Sequence, residues 1–537
     1  MGIPYYFKTI TNTYPNILKS SLIETPTRLF LDFNCAIHQC SQELLQSYDE
    51  QKKKFCHEEF EEMLITKCIE HVIYLIEYVQ AQKIIFIAID GVAPVAKMIQ
   101  QRKRRYLTHW RNKQLSSKSR IEWNSNAISP GTAFMNSLNV RLNDFVNTHN
   151  ENDNTFKMII SDSSLPGEGE FKIFNYIEEH DSDNEIDIIY GLDADLIMLS
   201  MLSSKTSKYL MRENCYIDNK NQEDKNIIYL DINLLSKNLY LHLQHHEHFQ
   251  RLEKHTCIQI YIFICFFIGN DFIPNLSFLK LKNDAVDFLL YNYDKIMAKM
   301  TNSNTLDIGE IIYYCCNSNK WLINYGILCN FIELLSESED FEYIKHHRKY
   351  YERSIQRTTK DNKILLYGHF NKPVDTIIPE SKGWRDRYYS SLFNDKLKDT
   401  ICKDYITGLK WVVDYYYNKK CDTKWCYVYS YSPTILDIYN YLGATSIIVN
   451  DIFTKDIPIS SVKYVSESTQ LLYILPKQSS YLLPKHLRPY THDLMRGLLH
   501  YYPIDYKIQT YMHYYLHECI PIIPYINIEK FEKLIMN

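Results

Sequence analysis

Four short apolar runs, each ending on or beside an acidic residue, constrain this chain more than any other feature. They are Arg28–Phe33, Lys83–Asp90, Lys157–Asp162 and Asp187–Asp195. Each is rich in Ile, Leu and Phe and has no helical period, which is the pattern of strands buried on both faces of a mostly parallel sheet. Helical patterns lie between them, for example over Glu58–Val79 and Glu170–Glu179. Strand alternating with helix predicts an α/β domain, its mostly parallel central sheet flanked by helices. After about residue 285 the strand-like runs thin out, and helical, Tyr-rich segments carry the chain to Lys420. The reading therefore divides the chain into an α/β domain over residues 1–285, a helical connecting region over 286–370 and a second region over 371–537. The C-terminal part is expected to be mainly helical and packed on the first domain. Within it, Leu334–Asn362 is charged and reads as a solvated helix, and the final third mixes short extended runs with proline-containing turns.

Open α/β sheets bind ligands beyond the carboxyl ends of their strands. That rule places Asp32, Asp90, Asp162, Asp193 and Asp195 on one rim of one sheet. Several carboxylates a few ångströms apart cannot all stay ionised unless cations neutralise them. Asp162 is the member read as only a turn former. Gly191-Leu-Asp-Ala-Asp195 sets two aspartates at i and i+2, which point the same way in extended chain. Pro166-Gly-Glu-Gly-Glu170 does the same with Glu168 and Glu170 just before a helical pattern, whose start adds a positive dipole. Gly269-Asn-Asp271 follows an apolar stretch read as helical. Oxygen-only donors suit hard cations such as Mg²⁺. Two such ions about 4 Å apart would clamp the attacking and leaving oxygens of a phosphodiester. One Asp-x-Asp is weak grounds for a metal; the motifs gathered on one rim are strong grounds.

Charge is segregated in the opposite sense elsewhere. The chain of 537 residues has a net charge of −4, which argues against an indiscriminate polyanion binder. Yet Lys97–Arg120 holds nine Lys or Arg and no acid. Lys97, Gln101, Arg104 and Arg105 fall at i, i+4, i+7 and i+8, one face of a helix that could hold a terminal phosphate by charge-assisted bonds. The plainer alternative is a solvated cationic helix. Stacking on aromatic faces holds single-stranded bases without reading their sequence. His38, on the helix expected after the first strand, and Trp411 and Trp425, flanking a Tyr-rich segment, are the candidates, although a buried core role is at least as common for such residues. The cluster His242, His245, His246, His248, His255 and Cys257 has no zinc-site spacing, nor has Cys35-x-x-His38-x-Cys40. Fourteen cysteines without a Cys-x-x-Cys pair favour a reducing, intracellular compartment. The longest apolar run, Ile258–Ile268, is about half of a membrane span.

Taken together, these motifs resemble the Xrn family of 5′→3′ exoribonucleases. The resemblance rests on Met-Gly-Ile-Pro at the start, Leu-Asp-Phe-Asn-Cys-Ala-Ile-His (31–38) and Ile-Asp-Gly-Val-Ala-Pro through Arg-Lys-Arg-Arg (89–105). It continues through Asn-Ala-Ile-Ser-Pro-Gly-Thr (126–132), Pro-Gly-Glu-Gly-Glu (166–170), Tyr-Gly-Leu-Asp-Ala-Asp (190–195) and Gly-Asn-Asp-Phe-Ile-Pro (269–274). Weaker matches run through 408–417, 482–485 and 522–526. The resemblance implies a fold like that of the PIN and flap nucleases, with the second region completing an active-site channel. It implies that Asp32, Asp90, Glu168, Glu170, Asp193, Asp195 and Asp271 hold two Mg²⁺ ions, with Mn²⁺ as a substitute. Lys97, Gln101, Arg104 and Arg105 would form the pocket for a 5′-monophosphate, and His38 would stack on the first bases with Trp411 as partner. Single-stranded RNA would be digested processively to nucleoside 5′-monophosphates, and a cap or triphosphate would block the pocket. Val95 stands where the family usually has Arg, so one basic contact is expected to be lost. A minimal, core-only member without the long C-terminal extensions is expected, from an AT-rich genome such as a virus's. It is expected to be a cytoplasmic monomer without a membrane segment; decapping machinery as a partner is not readable from the sequence. A flap-endonuclease-like DNA nuclease shares the acidic rim but not the phosphate-binding helix face. A catalytically dead RNA-binding or scaffold protein would show a missing carboxylate, and all seven are present.

Overall fold

The computed structural model describes residues 5–536, apart from 52–54, 116–122, 153–154, 181, 183–184, 192, 204–206, 214–226, 281–283, 303–308, 355–358, 394–395 and 493–497. Its centre is a seven-stranded sheet. The strands are β1 Leu18–Lys19, β2 Arg28–Asp32, β3 Ile84–Ala88, β4 Lys157–Ser161, β5 Ile186–Tyr190, β6 Ser207–Glu213 and β7 Ile227–Asp231. They lie in the order β1-β7-β6-β5-β2-β3-β4. The pairs from β6 through β5, β2 and β3 to β4 are parallel, and β7 and β1 close one edge antiparallel. Four of these strands are the apolar runs of the sequence. Three were not read from it. β6, Ser-Lys-Tyr-Leu-Met-Arg-Glu, is too charged to stand out, and β1 has only two residues. β7, Ile-Ile-Tyr-Leu-Asp, carries the same signature as the other four and was legible.

Successive residues of the parallel strands feed two cores, as the period of a strand requires. Phe30 and Phe86 pack on Tyr176 of the helix Gly169–Glu179, at 6.1 and 4.7 Å, and with Ile189 they join a core that takes in the helices Lys254–Cys265, Tyr325–Glu352 and Lys398–Tyr416. Leu29, Leu31, Ile85, Ile87 and Ile188 face the helices Phe33–Gln51 and His57–Val79. The first of these cores runs without a break from Tyr6 to Tyr511, so the C-terminal helices share apolar packing with the sheet. A third, smaller core joins Val92, Val95 and Met98 to Leu471, Leu472 and Phe531. At the start of the strands Arg28 and Asp187 sit opposite each other in register. The guanidinium donates to both carboxylate oxygens, at 2.7 and 2.9 Å, and to the His180 carbonyl. This bidentate pair neutralises two buried charges at the end of the sheet opposite the acids.

Two expectations about the helices are corrected. The charged stretch from Leu334 is not a solvated helix. It belongs to the helix Tyr325–Glu352, and Leu335, Glu339, Tyr343, His347 and Tyr350 form a buried stripe along it. Glu339 tolerates burial because it accepts hydrogen bonds from the backbone N–H groups of Ile435 and Leu436, at a helix start, and pairs with Arg385 at 2.9 Å. The final third is also less extended than expected. It holds the helices Ile435–Ala444, Ser446–Thr454 and Glu467–Ile474, several 3₁₀ turns, and two strands of two residues each, Ile508–Gln509 and Ile520–Pro521. The run Ile258–Ile268 is wholly buried, and no helix among the described residues is long and apolar enough to cross a membrane.

Candidate active site

Parallel strands deliver their carboxyl ends to one rim. β2 ends on Asp32, and Asp90 follows β3 by two residues. Asp193 caps the helix Ala194–Leu202, which follows β5, and Asp195 lies in its first turn. Glu168 and Glu170 hold the same two places on the helix Gly169–Glu179. The i, i+2 pairs are therefore not extended segments, as the sequence reading had them. Each pair straddles a helix start, where the dipole favours anions. Asp162 sits apart in a turn, its carboxylate accepting from Ser164 N–H, Ser164 Oγ and Asn143 Nδ2.

Oxygens of Asp32, Asp90 and Glu170 lie within 4.8 Å of one another. Asp90 is fixed by Asn34 Nδ2 at 2.7 Å and by the backbone N–H of Gly169 at 2.6 Å. Glycine is needed at two points of close approach. A Cβ on Gly91 would stand 1.8 Å from the Leu165 carbonyl oxygen, and one on Gly169 would stand 2.9 Å from Asp32 Oδ1. Burial, then the neighbouring carboxylates, push Asp32 and Glu170 well above the usual carboxylate range, and burial carries Asp195 to about 6. One cation already answers this strain. Lys97 Nζ is 2.7 Å from Glu168, 3.0 Å from Asp271 and 4.0 Å from Glu170. Burial alone would lower the Lys97 pKa, but these carboxylates hold it well above the usual lysine value. Burial likewise opposes ionisation of Asp271, yet the positive charge around it, Lys97 included, brings it to about 2. A buried set of oxygen donors that draws an ammonium into its midst fits a hard divalent cation.

The basic helix, Val95–Leu115, runs beside this rim. Lys97, Gln101, Arg104 and Arg105 line one cavity of about 650 Å³ together with His38, Asp32, Asp90, Glu168, Glu170, Asp193 and Asp271. The amide oxygen of Gln101 and Nη1 of Arg105 are buried without a hydrogen-bond partner in the protein, while Arg105 Nη2 donates to Ser129 Oγ at 2.8 Å. Not all of the basic run faces the cavity. Arg102 is buried and donates to the carbonyls of Tyr501 and Pro524, so it ties the helix to the C-terminal segment. Lys118 and Arg120 lie outside the described residues. Burial, then Arg104 and Arg105, push His38 down to about 4, so its ring is uncharged at neutral pH. His38, Arg105, Ser125 and Asn126 also line a second cavity that continues past Trp123 to Gln478 and Ser479.

Trp411 and Asp195 depart from expectation. Trp411 is buried, with Tyr415 and Trp425 stacked nearby at 5.3 and 5.7 Å and Phe272 packed at 4.7 Å. Its Nε1 donates to the Asp422 carbonyl at 2.7 Å. With its faces covered it is a core residue, and it does not line the cavity. Val95 is buried in the third core, its N–H donating to the Thr423 carbonyl. An arginine there would have to enter apolar packing. Asp195 is buried, accepts from Tyr416 at 2.7 Å and does not line the cavity either. Asn34, Ser129, Tyr415 and Tyr416 were not singled out from the sequence, though all four fall inside the matching motifs or beside them.

Strand-end carboxylates facing a cationic helix across one cavity define the class: an α/β nuclease that works on phosphodiesters. Residues 1–214 match the family description "XRN 5′-3′ exonuclease N-terminus". Residues 251–363 and 335–536 match "Xrn1 helical domain". The chain belongs to the Xrn family of 5′-3′ exoribonucleases. It is 25% identical to the 5′-3′ exoribonuclease 2 homolog of Drosophila melanogaster, across 100% of this chain and 71% of that protein. It is 25% identical to 5′-3′ exoribonuclease 1 of Saccharomyces cerevisiae, across 95% of this chain and 41% of that one. The human 5′-3′ exoribonuclease 1 is 27% identical across 98% of this chain and 33% of its own length. The chain thus spans less than half of these two longer relatives. Among solved structures the catalytic core of Rad2 in complex with a DNA substrate aligns at 12% identity and a TM-score of 0.28, over 56% of this chain and 79% of that one, too low a likeness to bear on the fold.

Proposed function

We propose that this protein is a Mg²⁺-dependent 5′→3′ exoribonuclease that degrades single-stranded RNA from a 5′-monophosphate and releases nucleoside 5′-monophosphates. One observation carries the reading: the acidic rim and the Gln101–Arg104–Arg105 helix face line the same cavity, and Arg105 Nη1 and the amide oxygen of Gln101 on that face have no hydrogen-bond partner in the protein. A buried donor without a partner, such as Arg105 Nη1, is costly unless a ligand satisfies it. A terminal phosphate, with its acceptor oxygens, is such a ligand. In this reading Arg104, Arg105 and Gln101 bind the 5′-phosphate and so set the distance from the chain end to the scissile bond. The ring of His38 stacks on a base, uncharged at working pH. Asp32, Asp90, Glu168, Glu170, Asp193, Asp195 and Asp271 hold two metal ions. When bound, those ions lower the pKa of the attacking water and neutralise charge on the phosphodiester. Lys97, which pairs with Glu168 and Asp271, would turn to the terminal phosphate where cations hold those carboxylates.

The test is a decay assay with Mg²⁺ on one RNA sequence bearing a 5′-monophosphate, 5′-triphosphate or 5′-hydroxyl. Decay of the monophosphate form alone, with mononucleotide products, is expected. Equal decay of all three, or faster cleavage of a DNA flap, would overturn the reading.

A further inference from the structure

Three consecutive tyrosines end the helix Lys398–Tyr416 and the residue after it, and their hydroxyls have different partners. Tyr415 donates to Glu168 Oε2 at 2.8 Å. Tyr416 donates to Asp195 Oδ1 at 2.7 Å. Tyr417 donates to the backbone carbonyl of Gln259 at 2.6 Å. The first two bonds are buried and link positions more than 200 residues apart, from the C-terminal region to the acidic rim. Their rings cannot swing freely. Tyr415 is stacked between Trp411 and Phe171, both at 5.3 Å, and Tyr416 packs on Phe266 at 5.1 Å.

Each tyrosine occupies one oxygen of its carboxylate. For Glu168 the other oxygen is the one that meets Lys97 at 2.7 Å, so the phenol leaves a single oxygen aimed at a cation. We infer that Tyr415 and Tyr416 are positioning residues of the metal site, through which the helical C-terminal region orients two carboxylates contributed by the sheet domain. The inference rests on the metal-dependent reading proposed above. It gives the aromatic segment a role other than base stacking: the ring column built on Trp411 holds the phenols, and the phenols hold the ligands. Outer partners of metal ligands generally contribute about 10–100-fold in metal affinity.

The test is direct Mn²⁺ binding to the full chain, followed by the loss of the free-ion electron paramagnetic resonance signal. Tyr415→Phe and Tyr416→Phe each keep the ring and remove the bond; Tyr417→Phe removes a part-buried bond of similar length that ends on a backbone carbonyl. The first two variants are expected to bind Mn²⁺ at least about tenfold more weakly, with Tyr417→Phe within twofold of wild type. RNA decay by the first two should fall at limiting Mg²⁺ and recover at saturating Mg²⁺. Wild-type Mn²⁺ affinity in Tyr415→Phe and Tyr416→Phe, or equal weakening in Tyr417→Phe, would overturn the inference. A wild-type protein that binds Mn²⁺ but leaves 5′-monophosphorylated RNA intact would overturn the proposed function and leave the tyrosine assignment standing. Should one variant not fold, the other is read alone against Tyr417→Phe.

Discussion

At the scale of single residues, Lys97 has two claims on it. The sequence places it on the face proposed to bind phosphate, and the structure places its ammonium between Glu168 and Asp271. Both are consistent with a cation that substitutes for a metal until one arrives. Replacing it should therefore harm the metal-free protein most. Lys97→Gln is expected to cost about 3–5 kcal/mol of stability in chelator, since it strands buried carboxylates. Excess Mg²⁺ should restore most of the loss, by binding the same groups. Paired melts with and without Mg²⁺ check this; an equal loss in both conditions would count against the shared role. The folded pKa of Lys97 is raised, so its contribution is complete below the unfolded lysine value and disappears only as pH rises beyond it.

Elements show where sequence reasoning stopped. The runs that became β2, β3 and β5 were legible because two-sided burial leaves a continuous apolar stretch in the chain, whereas β4, a partly buried edge strand, was legible from its short apolar run alone. The basic helix was legible because its charges recur at helical spacing. The helix Lys398–Tyr416 was legible as a helix but not in its role, because Trp-Val-Val-Asp-Tyr-Tyr-Tyr has the composition of a stacking platform and of a core alike. Only packing separates them. Trp411→Ala should therefore act on stability, by about 3–5 kcal/mol, as a large aromatic removed from a core. His38→Ala should instead weaken single-stranded RNA binding by about 1–3 kcal/mol with little change in melting. Denaturant unfolding and RNA titration of both variants separate the two; a Trp411→Ala protein of wild-type stability that binds RNA poorly would return the tryptophan to the groove.

The whole molecule carries a pH dependence that no local motif announces. Burial, then Lys280, push His513 down to about 3, and His38 lies at about 4. His513 sits beside Tyr431, with rings 5.9 Å apart, and Glu518 is the acid acting on it. A depressed folded pKa means that the stability is fully present above the unfolded histidine value, about 6.5, and is lost as pH falls toward the folded one. Each such histidine should cost up to about 1.4 kcal/mol per pH unit in that window. Melting curves from pH 7 to 4 check this, and His513→Gln should flatten the slope; an unchanged slope would refute its share.

What the sequence determined by itself is local. Strand runs follow from burial on both faces, turn aspartates and strand-end acids from their place after those runs, and the cationic face from a period of 3.6 residues. The tertiary structure decided which of these meet. Whether an acid at a strand end faces a helix of lysines and arginines, whether Arg102 faces the cavity or the C-terminal segment, and whether Trp411 meets a base or another ring all depend on contacts between residues tens to hundreds of positions apart. Charge and aromaticity are written into the chain, but the partner that gives them meaning is chosen by packing, and buried polar groups, which must find partners, take whichever the fold brings within hydrogen-bond reach.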